Sequence, residues 1–490
     1  MTSRYLSSAS QRTIPCVLLV LTALGAHSAM AQNGPTSPAD PTSATTGTSS
    51  QREKEREKRR RQAQSDETET TDRRPYRAVF GGAGKRTDLT RTFDFNGSVQ
   101  EAYDEDRLTE VAAPGASRLA DSDGFYSGLV GDLAFRRKGG RLEAVVNGGA
   151  NARYYSDLKR LLASDYHAGA GLSARMSPRT QLRVDQAFSY APVDLLGVFI
   201  GALPPGLGDV APVSTDYAVN DNRSYANSTS GQISRRLSSR SDFTVNGNAK
   251  LTRFLADRAG NNRFRELGAG GAYAYRLNAG ASLRLGYGYR GAEYRGQGAS
   301  AVSSNPAEHA LDIGIDFHRT LSDSRRTAFT LKTGSALLQA PTPSNTLISS
   351  RQLRVLIDGS ISRQMGETWQ VIGSYRRGSD LEEGLASPIF SDAWTVSTNG
   401  FLSRRADFTS ALSYSTGEPS LATTSQTFTT YTGNARLRVA LNQRWATTAE
   451  YVNYFYDFSK TPQLAQGFNP RFSRNLFRVG LSLWVPFGRR

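Results

Sequence analysis

The sequence predicts an all-β fold, a transmembrane antiparallel up-and-down β-barrel of about 18 strands, within a range of about 16–18. Three observations predict it. Long segments alternate apolar and polar residues from Arg91 to Phe487, short polar turns exchange regularly with longer loops between them, and the last segment carries an insertion pattern. Most segments run roughly 10 to 14 residues, whereas soluble strands average about 5–6 and a membrane-crossing strand needs about 9–11.

Composition argues against a soluble globular core and against membrane helices. Only 38% of the 490 residues are hydrophobic, and most of these alternate singly with polar ones. The one long apolar run, Ile14 to Gly25, is shorter than the about 20 residues that a membrane helix needs.

Residues 1–31 read as a cleavable signal peptide. Arg4 and Arg12 supply its positive region, Ile14 to Gly25 its apolar region, and Ala29-Met30-Ala31 its cleavage site. We therefore expect export and residence in the cell outer membrane. The only cysteine, Cys16, lies within this peptide, so the mature chain has no thiol.

Three further regions follow the signal peptide. Residues 32–76 form a charged periplasmic extension, expected to be disordered, and a contact of its charge block 52–61 with peptidoglycan or a periplasmic partner stays open. Residues 77–90 form a lead-in segment. Residues 91–490 form the outer-membrane β-barrel.

Turns and loops predict which end of the barrel is which. Short turns are predicted at 138–140, 177–180, 238–241, 278–280, 322–325, 365–367, 404–407 and 442–444. Long loops are predicted at 105–121, 156–164, 192–222, 255–263, 295–307, 378–390 and 458–472. Because outer-membrane barrels have short periplasmic turns and longer extracellular loops, both chain ends are predicted to be periplasmic.

The last segment resembles the outer-membrane insertion signal. A polar residue, Gly and two hydrophobics precede a terminal aromatic, and Arg478, Gly480, Leu483, Val485 and Phe487 fill these places. The resemblance implies recognition by the barrel-assembly machinery. The chain departs from the pattern by continuing for three residues beyond Phe487.

The region from about Arg77 onward also resembles outer-membrane β-barrel porins of type 2, which are associated with surface polysaccharide systems. The resemblance lies in the acidic run 101–106 that ends the first strand and in turns such as 234–238 and 275–278. It implies a porin-like barrel with polysaccharide-export components as partners. Arg107 stands where that family has Asn.

Strand parity predicts the lumen lining, because alternate residues lie on opposite faces. The basic lumen residues are then Arg136, Arg153, Arg175, Arg183, Lys250, Arg284, Arg290, Lys332, Arg354, Arg376, Arg436, Arg438 and Arg478. The acidic ones are Asp132, Glu143, Asp185, Asp312, Asp316, Asp358 and Glu450. This excess of basic residues predicts a preference for anions. The alternative is that several of these arginines, which flank the short turns, are solvated or pair with Asp132 or Asp185.

The loop 192–222 contains an unusual apolar run. Its apolar side chains are Leu195, Val198, Phe199, Ile200 and Leu203. Such a run is unlike a loop left in water. Inward folding as a constriction is favoured, and a cap on the barrel or a subunit contact remains open.

These features predict the class of function but not the substrate. We expect no enzyme, catalytic residue, metal or cofactor, because no nucleophile elbow, metal-ligand spacing or nucleotide fingerprint accompanies His167, His309 and His318. The leading prediction is a porin-like channel for small anionic or polar solutes. The alternatives are an exit duct for an exopolysaccharide and a structural barrel with a blocked lumen. Expected partners are outer-membrane lipid and lipopolysaccharide, and nucleic acid is not expected.

Overall fold

A computed structural model describes twelve stretches of the chain, all within the barrel region. They are residues 90–105, 124–156, 161–192, 223–254, 263–295, 305–320, 327–339, 351–366, 368–380, 389–419, 427–457 and 471–489. The predicted signal peptide, charged extension and lead-in segment lie outside these residues, apart from residue 90. In the described stretches no helix is long and apolar enough to cross a membrane.

The described residues form 18 β-strands. They are β1 Arg91–Asp104, β2 Gly124–Lys138, β3 Leu142–Tyr155, β4 Leu161–Ser177, β5 Thr180–Pro192, β6 Arg223–Arg236, β7 Ser241–Phe254, β8 Arg263–Asn278, β9 Ala281–Arg295, β10 Ala307–Thr320, β11 Thr327–Gln339, β12 Arg351–Met365, β13 Trp369–Asp380, β14 Ile389–Ser403, β15 Ala406–Pro419, β16 Phe428–Ala440, β17 Trp445–Asp457 and β18 Arg471–Arg489.

The sheet closes on itself. Every strand pairs antiparallel with its neighbours in sequence, and β1 pairs both with β2 and with β18. The predicted strand number and up-and-down topology are therefore confirmed. Closure leaves the sheet without free edge strands, which a sheet surrounded by lipid requires.

The short turns lie between the strands where they were predicted. Asn442, for example, accepts backbone N–H bonds from Arg444 and Trp445 and so closes the turn between β16 and β17. Gly366, between β12 and β13, has a φ of 62°, a conformation that costs glycine little because it has no Cβ.

The long connections differ from the prediction in three respects. β4 begins at Leu161, so residues 161–164 belong to a strand and not to a loop. The predicted loop 378–390 is shortened at both ends, because β13 continues to Asp380 and β14 begins at Ile389. Two connections at the same end of the barrel, 340–350 and 420–427, were not singled out; they have no apolar or glycine-rich run to mark them.

The outer face of the wall is apolar. Large side chains such as Leu129, Leu285, Ile313 and Leu353 point outward and are exposed, Leu353 by 73%. A protein in water would bury them, so this face is built to contact lipid.

Two aromatic belts border the apolar band. Near the end that carries the long connections, Tyr190 packs between Tyr166 and Tyr225, with ring centroids 5.9 and 5.0 Å away. Near the end that carries the short turns, Phe93 and Phe487 lie 5.4 Å apart. Aromatic girdles at both interfaces are a property of transmembrane barrels.

One outward patch is polar. On β5 and β6, Gln186 donates to Asn227 at 2.9 Å and accepts from the Thr229 hydroxyl at 2.5 Å. Gln186 is aligned with Thr229, and Asn227 is aligned with the outward Phe188, so all three point outward. Because they bond to one another, their polar atoms have partners on a face that contacts lipid.

Candidate functional site

The inner face of the wall carries the predicted basic residues. Pairing registers place all thirteen on the side opposite the exposed apolar residues: Arg136, Arg153, Arg175, Arg183, Lys250, Arg284, Arg290, Lys332, Arg354, Arg376, Arg436, Arg438 and Arg478. The ion-pair partners of these side chains determine how much net charge they contribute to the lumen.

Many of these arginines form an ion pair with a carboxylate. Arg183 lies 2.7 Å from Asp185, and Arg284 lies 2.7 Å from Asp316. The pair of Arg183 and Asp185 is one of the pairings that the alternative prediction named. Because each such pair is nearly neutral at a distance, the field in the lumen is weaker than a count of arginines suggests.

Further carboxylates pair with the same set, and sequence parity had not listed them. Glu308 lies 2.6 Å from Arg290, Glu418 lies 2.5 Å from Arg354, and Asp407 lies 2.6 Å from Arg438. Near the short turns, Arg136 is exposed by 58% and pairs with Glu143 at 2.6 Å. Many lumen arginines are therefore paired, but of the two partners that the alternative named only Asp185 pairs with an arginine, whereas Asp132 lies 3.2 Å from His167.

Three of the thirteen basic residues form no ion pair with a described side chain: Arg175 near a short turn, Lys332 and Arg436. Lys332 on β11 and Arg436 on β16 face the lumen, and no carboxylate whose side chain the structure describes lies within ion-pair distance of either. Among the described ion pairs, none offsets the charge of these two residues.

The ends of β1–β3 and β18 that carry the long connections are filled by buried side chains. Asp104 and Arg474 form a bidentate pair at 2.7 and 2.5 Å, with side chains only 1% and 2% exposed. Arg153 is also buried and lies over the Tyr126 ring, 5.2 Å from its centroid. The Arg153 side chain is therefore packed against its neighbours and does not project into open lumen.

The end of β13 leaves the wall. Its register with β12 stops at Ile357 opposite Arg377, although β12 continues to Arg351 beside β11. Beyond this point β13 stays paired with β14, and Ser379 is buried. Backbone can leave the ladder at membrane depth only where protein or a cavity surrounds it.

Side-chain contacts from β12 to β14 and β15 locate the ends of these strands. The Arg354 guanidinium on β12 lies over the Phe390 ring of β14 at 4.9 Å and bonds Glu418 of β15 at 2.5 Å. Phe390 and Glu418 are register partners. By parity they would point outward, yet they touch an inward residue of β12, so the ends of β13–β15 fold inside the barrel.

A second contact holds the end of β13 inside the barrel. Arg290 on β9 donates to the backbone oxygen of Ser379 at 2.8 Å and to Glu308 at 2.6 Å. The side chain of Arg290 therefore spans from the wall to the inward end of β13. We call this inward part, Gly378–Asp380 with Ile389–Ala393, the inner hairpin end.

A cavity of about 410 Å³ lies between the inner hairpin end and the wall formed by β7–β12. Five cations line it: Arg284, Arg290, Lys332, Arg376 and Arg377. Two carboxylates, Glu308 and Asp358, and two amides, Asn246 and Asn248, also line it. This basic cavity is the candidate functional site.

Sequence parity missed part of this site. Arg377 stands opposite the outward Ile357 in the β12–β13 register, and it reaches the cavity only because β13 turns inward. Ser379 was assigned to a loop. No residue pattern marks where a strand leaves its neighbour, so the sequence offered no signal for either residue.

The predicted insertion signal lies in the strand that closes the barrel. Arg478, Gly480, Leu483 and Val485 pair with β1, and Phe487 is exposed beside Phe93. Recognition by the assembly machinery stays a prediction. The predicted constriction residues Leu195, Val198, Phe199, Ile200 and Leu203 lie outside the described residues, as does any effect of their loop on the lumen.

The closed wall, its apolar exterior and its aromatic belts define the class of this protein, an outer-membrane β-barrel. No family model matches the chain, and no curated protein matches it in sequence.

Solved structures that resemble it include OccK11 (OpdR) of Pseudomonas aeruginosa, at 12% identity and a TM-score of 0.37 over 81% of this chain and 96% of that one. OccK2 (OpdF) of the same organism, in complex with glucuronate, shares 11% identity at 0.41, covering 81% and 98%. The FrpB iron transporter of Neisseria meningitidis shares 9% at 0.41, covering 84% and 83%. Likeness at this level carries no information about substrate.

Proposed function

We propose that this protein is an outer-membrane channel through which small anionic or polar solutes diffuse. The observation that supports this most directly is the basic cavity, whose lining carries five cations and two carboxylates, and which stays basic when Asp316 and Asp392, the partners of Arg284 and Arg377 outside the lining, are counted. Cations inside a low-dielectric wall raise the local concentration of anions and repel cations.

The pairing of many lumen arginines shapes the proposal. Arg183 and Arg438 are held by carboxylates and add little net charge, so selectivity would arise in the basic cavity instead of along the whole lumen. The inner hairpin end lines this cavity and would narrow the path there. A solute that passes would therefore meet the cations at close range.

Planar-bilayer recording of the purified, refolded protein tests the proposal. We expect discrete channels whose reversal potential in a KCl gradient indicates a preference for chloride. A preference for potassium would overturn the role given to the basic cavity. Lack of any channel would favour the structural barrel with a blocked lumen.

The exopolysaccharide duct makes a different prediction for the same preparation. An acidic polysaccharide on the periplasmic side would interrupt the ionic current in long events, and small anions would not. That outcome would replace the solute channel by the duct and would make polysaccharide-export components the expected partners.

A further inference from the structure

We propose that the basic cavity is a saturable binding site for a small solute that carries a carboxylate or a phosphate group. This inference rests on the proposed channel function and deepens it, because a channel can prefer anions without binding any of them. Four features of the cavity carry the proposal: its shape, its held arginines, its available lysine and its cover.

The shape is that of a recess in the wall. Besides Arg284, Arg290 and Glu308, the inward positions of β8–β10 that line the cavity are Gly270, Ala272, Gly288 and Ala310, so between the charged residues the floor carries no long side chain. The volume of about 410 Å³ falls within the range of about 300–1,000 Å³ that is typical of small-molecule sites. The floor is therefore empty enough for a solute of sugar size.

Two arginines at the rim of the recess are held in place. Arg284 bonds Asp316 at 2.7 Å and the backbone oxygen of Thr333 at 3.0 Å. Arg290 bonds Glu308 and the backbone oxygen of Ser379. A guanidinium that is already oriented loses little entropy when a ligand binds, and the planar shape of its N–H donors matches the geometry of a carboxylate or a phosphate.

Lys332 supplies a charge that no described ion pair offsets. It lines the cavity from β11, and no carboxylate whose side chain the structure describes lies within ion-pair distance of its ammonium. Asp358 is its neighbour across the β11–β12 register, on the same face. An oxyanion of the solute can therefore pair with Lys332 without displacing any of the ion pairs that the described side chains form.

The inner hairpin end covers part of the recess. Ser379 and Gly378 line the cavity on the side opposite the wall, and Arg290 ties them to β9. A solute in the recess would thus contact protein on two sides, which open lumen does not provide. Enclosure between the wall and a held strand end is what distinguishes a binding site from a wide pore.

Solute-induced block of the KCl current through single channels tests the inference. The probes are gluconate for a carboxylate, glucose 6-phosphate for a phosphate, and glucose as the neutral control. We expect block that saturates with concentration for gluconate, glucose 6-phosphate or both, and none for glucose. Which of the two anions blocks identifies the headgroup.

Variants assign the block to this cavity. Lys332→Gln should weaken it roughly tenfold or more, the effect of losing a charge-assisted bond, and Lys332→Arg should restore much of it. Gly288→Leu should abolish it by filling the floor, since a Cβ there meets only Ala310 and Ala269 at 3.8 and 3.9 Å. Arg295→Gln should leave the block unchanged, because Arg295 lies on the outer face at the end of β9.

Several results would overturn the inference. They are a block that never saturates, an equal block by glucose, and an affinity that Lys332→Gln leaves unchanged in a variant whose heat-modifiable gel mobility shows a folded barrel. In each case the chloride preference of the unblocked channel would still stand, so the proposed function and this inference fail separately.

Discussion

The Nη2 atom of Arg290 on β9 lies 2.8 Å from the backbone oxygen of Ser379 on β13, although β10, β11 and β12 separate these two strands in the wall. A strand that stayed in the wall could not come so close. The bond therefore joins the wall to a strand end inside the lumen.

Removing this bond should free the inner hairpin end. Arg290→Gln loses a charge-assisted hydrogen bond to Ser379, which contributes about 1.5–3 kcal/mol, or roughly 10- to 100-fold in the population of the released state. The measurement is the rate at which a thiol reagent modifies Ser379→Cys. The expected mature chain has no other cysteine, because Cys16 lies in the predicted signal peptide.

Arg295→Gln is the matched control for that experiment. Arg295 is on the same strand and pairs with Glu293 on the outward side, away from β13. Modification of Ser379→Cys should keep its original rate in this variant. Equal rates with and without Arg290→Gln would contradict the holding role of Arg290.

The buried pair of Asp104 and Arg474 should matter more for stability than any exposed pair. Asp104→Asn would leave the Arg474 guanidinium buried and without its counter-charge, at a cost of about 3–5 kcal/mol in the free energy of unfolding. Urea unfolding in lipid vesicles measures this.

Glu143→Gln is the comparison for the buried pair. It breaks the pair with Arg136, which is largely exposed, and should cost about 0–1 kcal/mol. Replacing Asp104 and Arg474 together by Leu and Met should recover much of the loss. Equal costs for Asp104→Asn and Glu143→Gln would show that burial of the first pair is not energetically important.

The outward polar patch should behave as a unit. Gln186→Leu leaves Asn227 and Thr229 without their shared partner on a lipid-facing surface, which should destabilise the barrel by about 1–3 kcal/mol. Adding Asn227→Leu and Thr229→Val should restore or exceed the original stability, because no polar group then remains unsatisfied. Unfolding in vesicles measures both variants.

Gln181→Leu is the control for the patch. Gln181 also bonds one side chain, Ser173 at 3.0 Å, but on the inner face near a turn, where water replaces the lost partner. Its change should stay within about 0.5 kcal/mol. A triple variant no more stable than Gln186→Leu would disprove the idea that the patch acts as a network.

Asp358→Asn should increase the preference for anions. Asp358 is one of the two carboxylates of the basic cavity, and removing its charge takes away a repulsion of about 1 kcal/mol for an anion at about 4 Å in water. This raises the local anion concentration by about fivefold. The reversal potential in a KCl gradient measures the change.

Glu293→Gln is the control for selectivity, because Glu293 has the outward parity of β9 and lies outside the cavity lining. Its reversal potential should match that of the unchanged protein. A shift toward cations in Asp358→Asn would contradict the proposed location of the selective region.

The sequence by itself determined the wall of this protein. Alternation along β9 placed Leu283, Leu285 and Arg284 on opposite faces correctly, and the exchange of turns and loops yielded 18 antiparallel strands. Both properties depend on residues two apart or on short connections, so neighbouring residues carry the whole signal.

Only the tertiary structure decided what lies inside that wall. Arg290 meets Ser379 across three strands, Arg354 meets Glu418 across two, and Asp104 meets Arg474 from the other end of the chain. Such pairs depend on where β13 leaves β12 and on how the barrel closes, and neither leaves a periodic mark in the sequence. The lumen-facing arginines could be listed from parity, but the carboxylates that neutralise them, and the cations left for a solute, follow from distances in space alone.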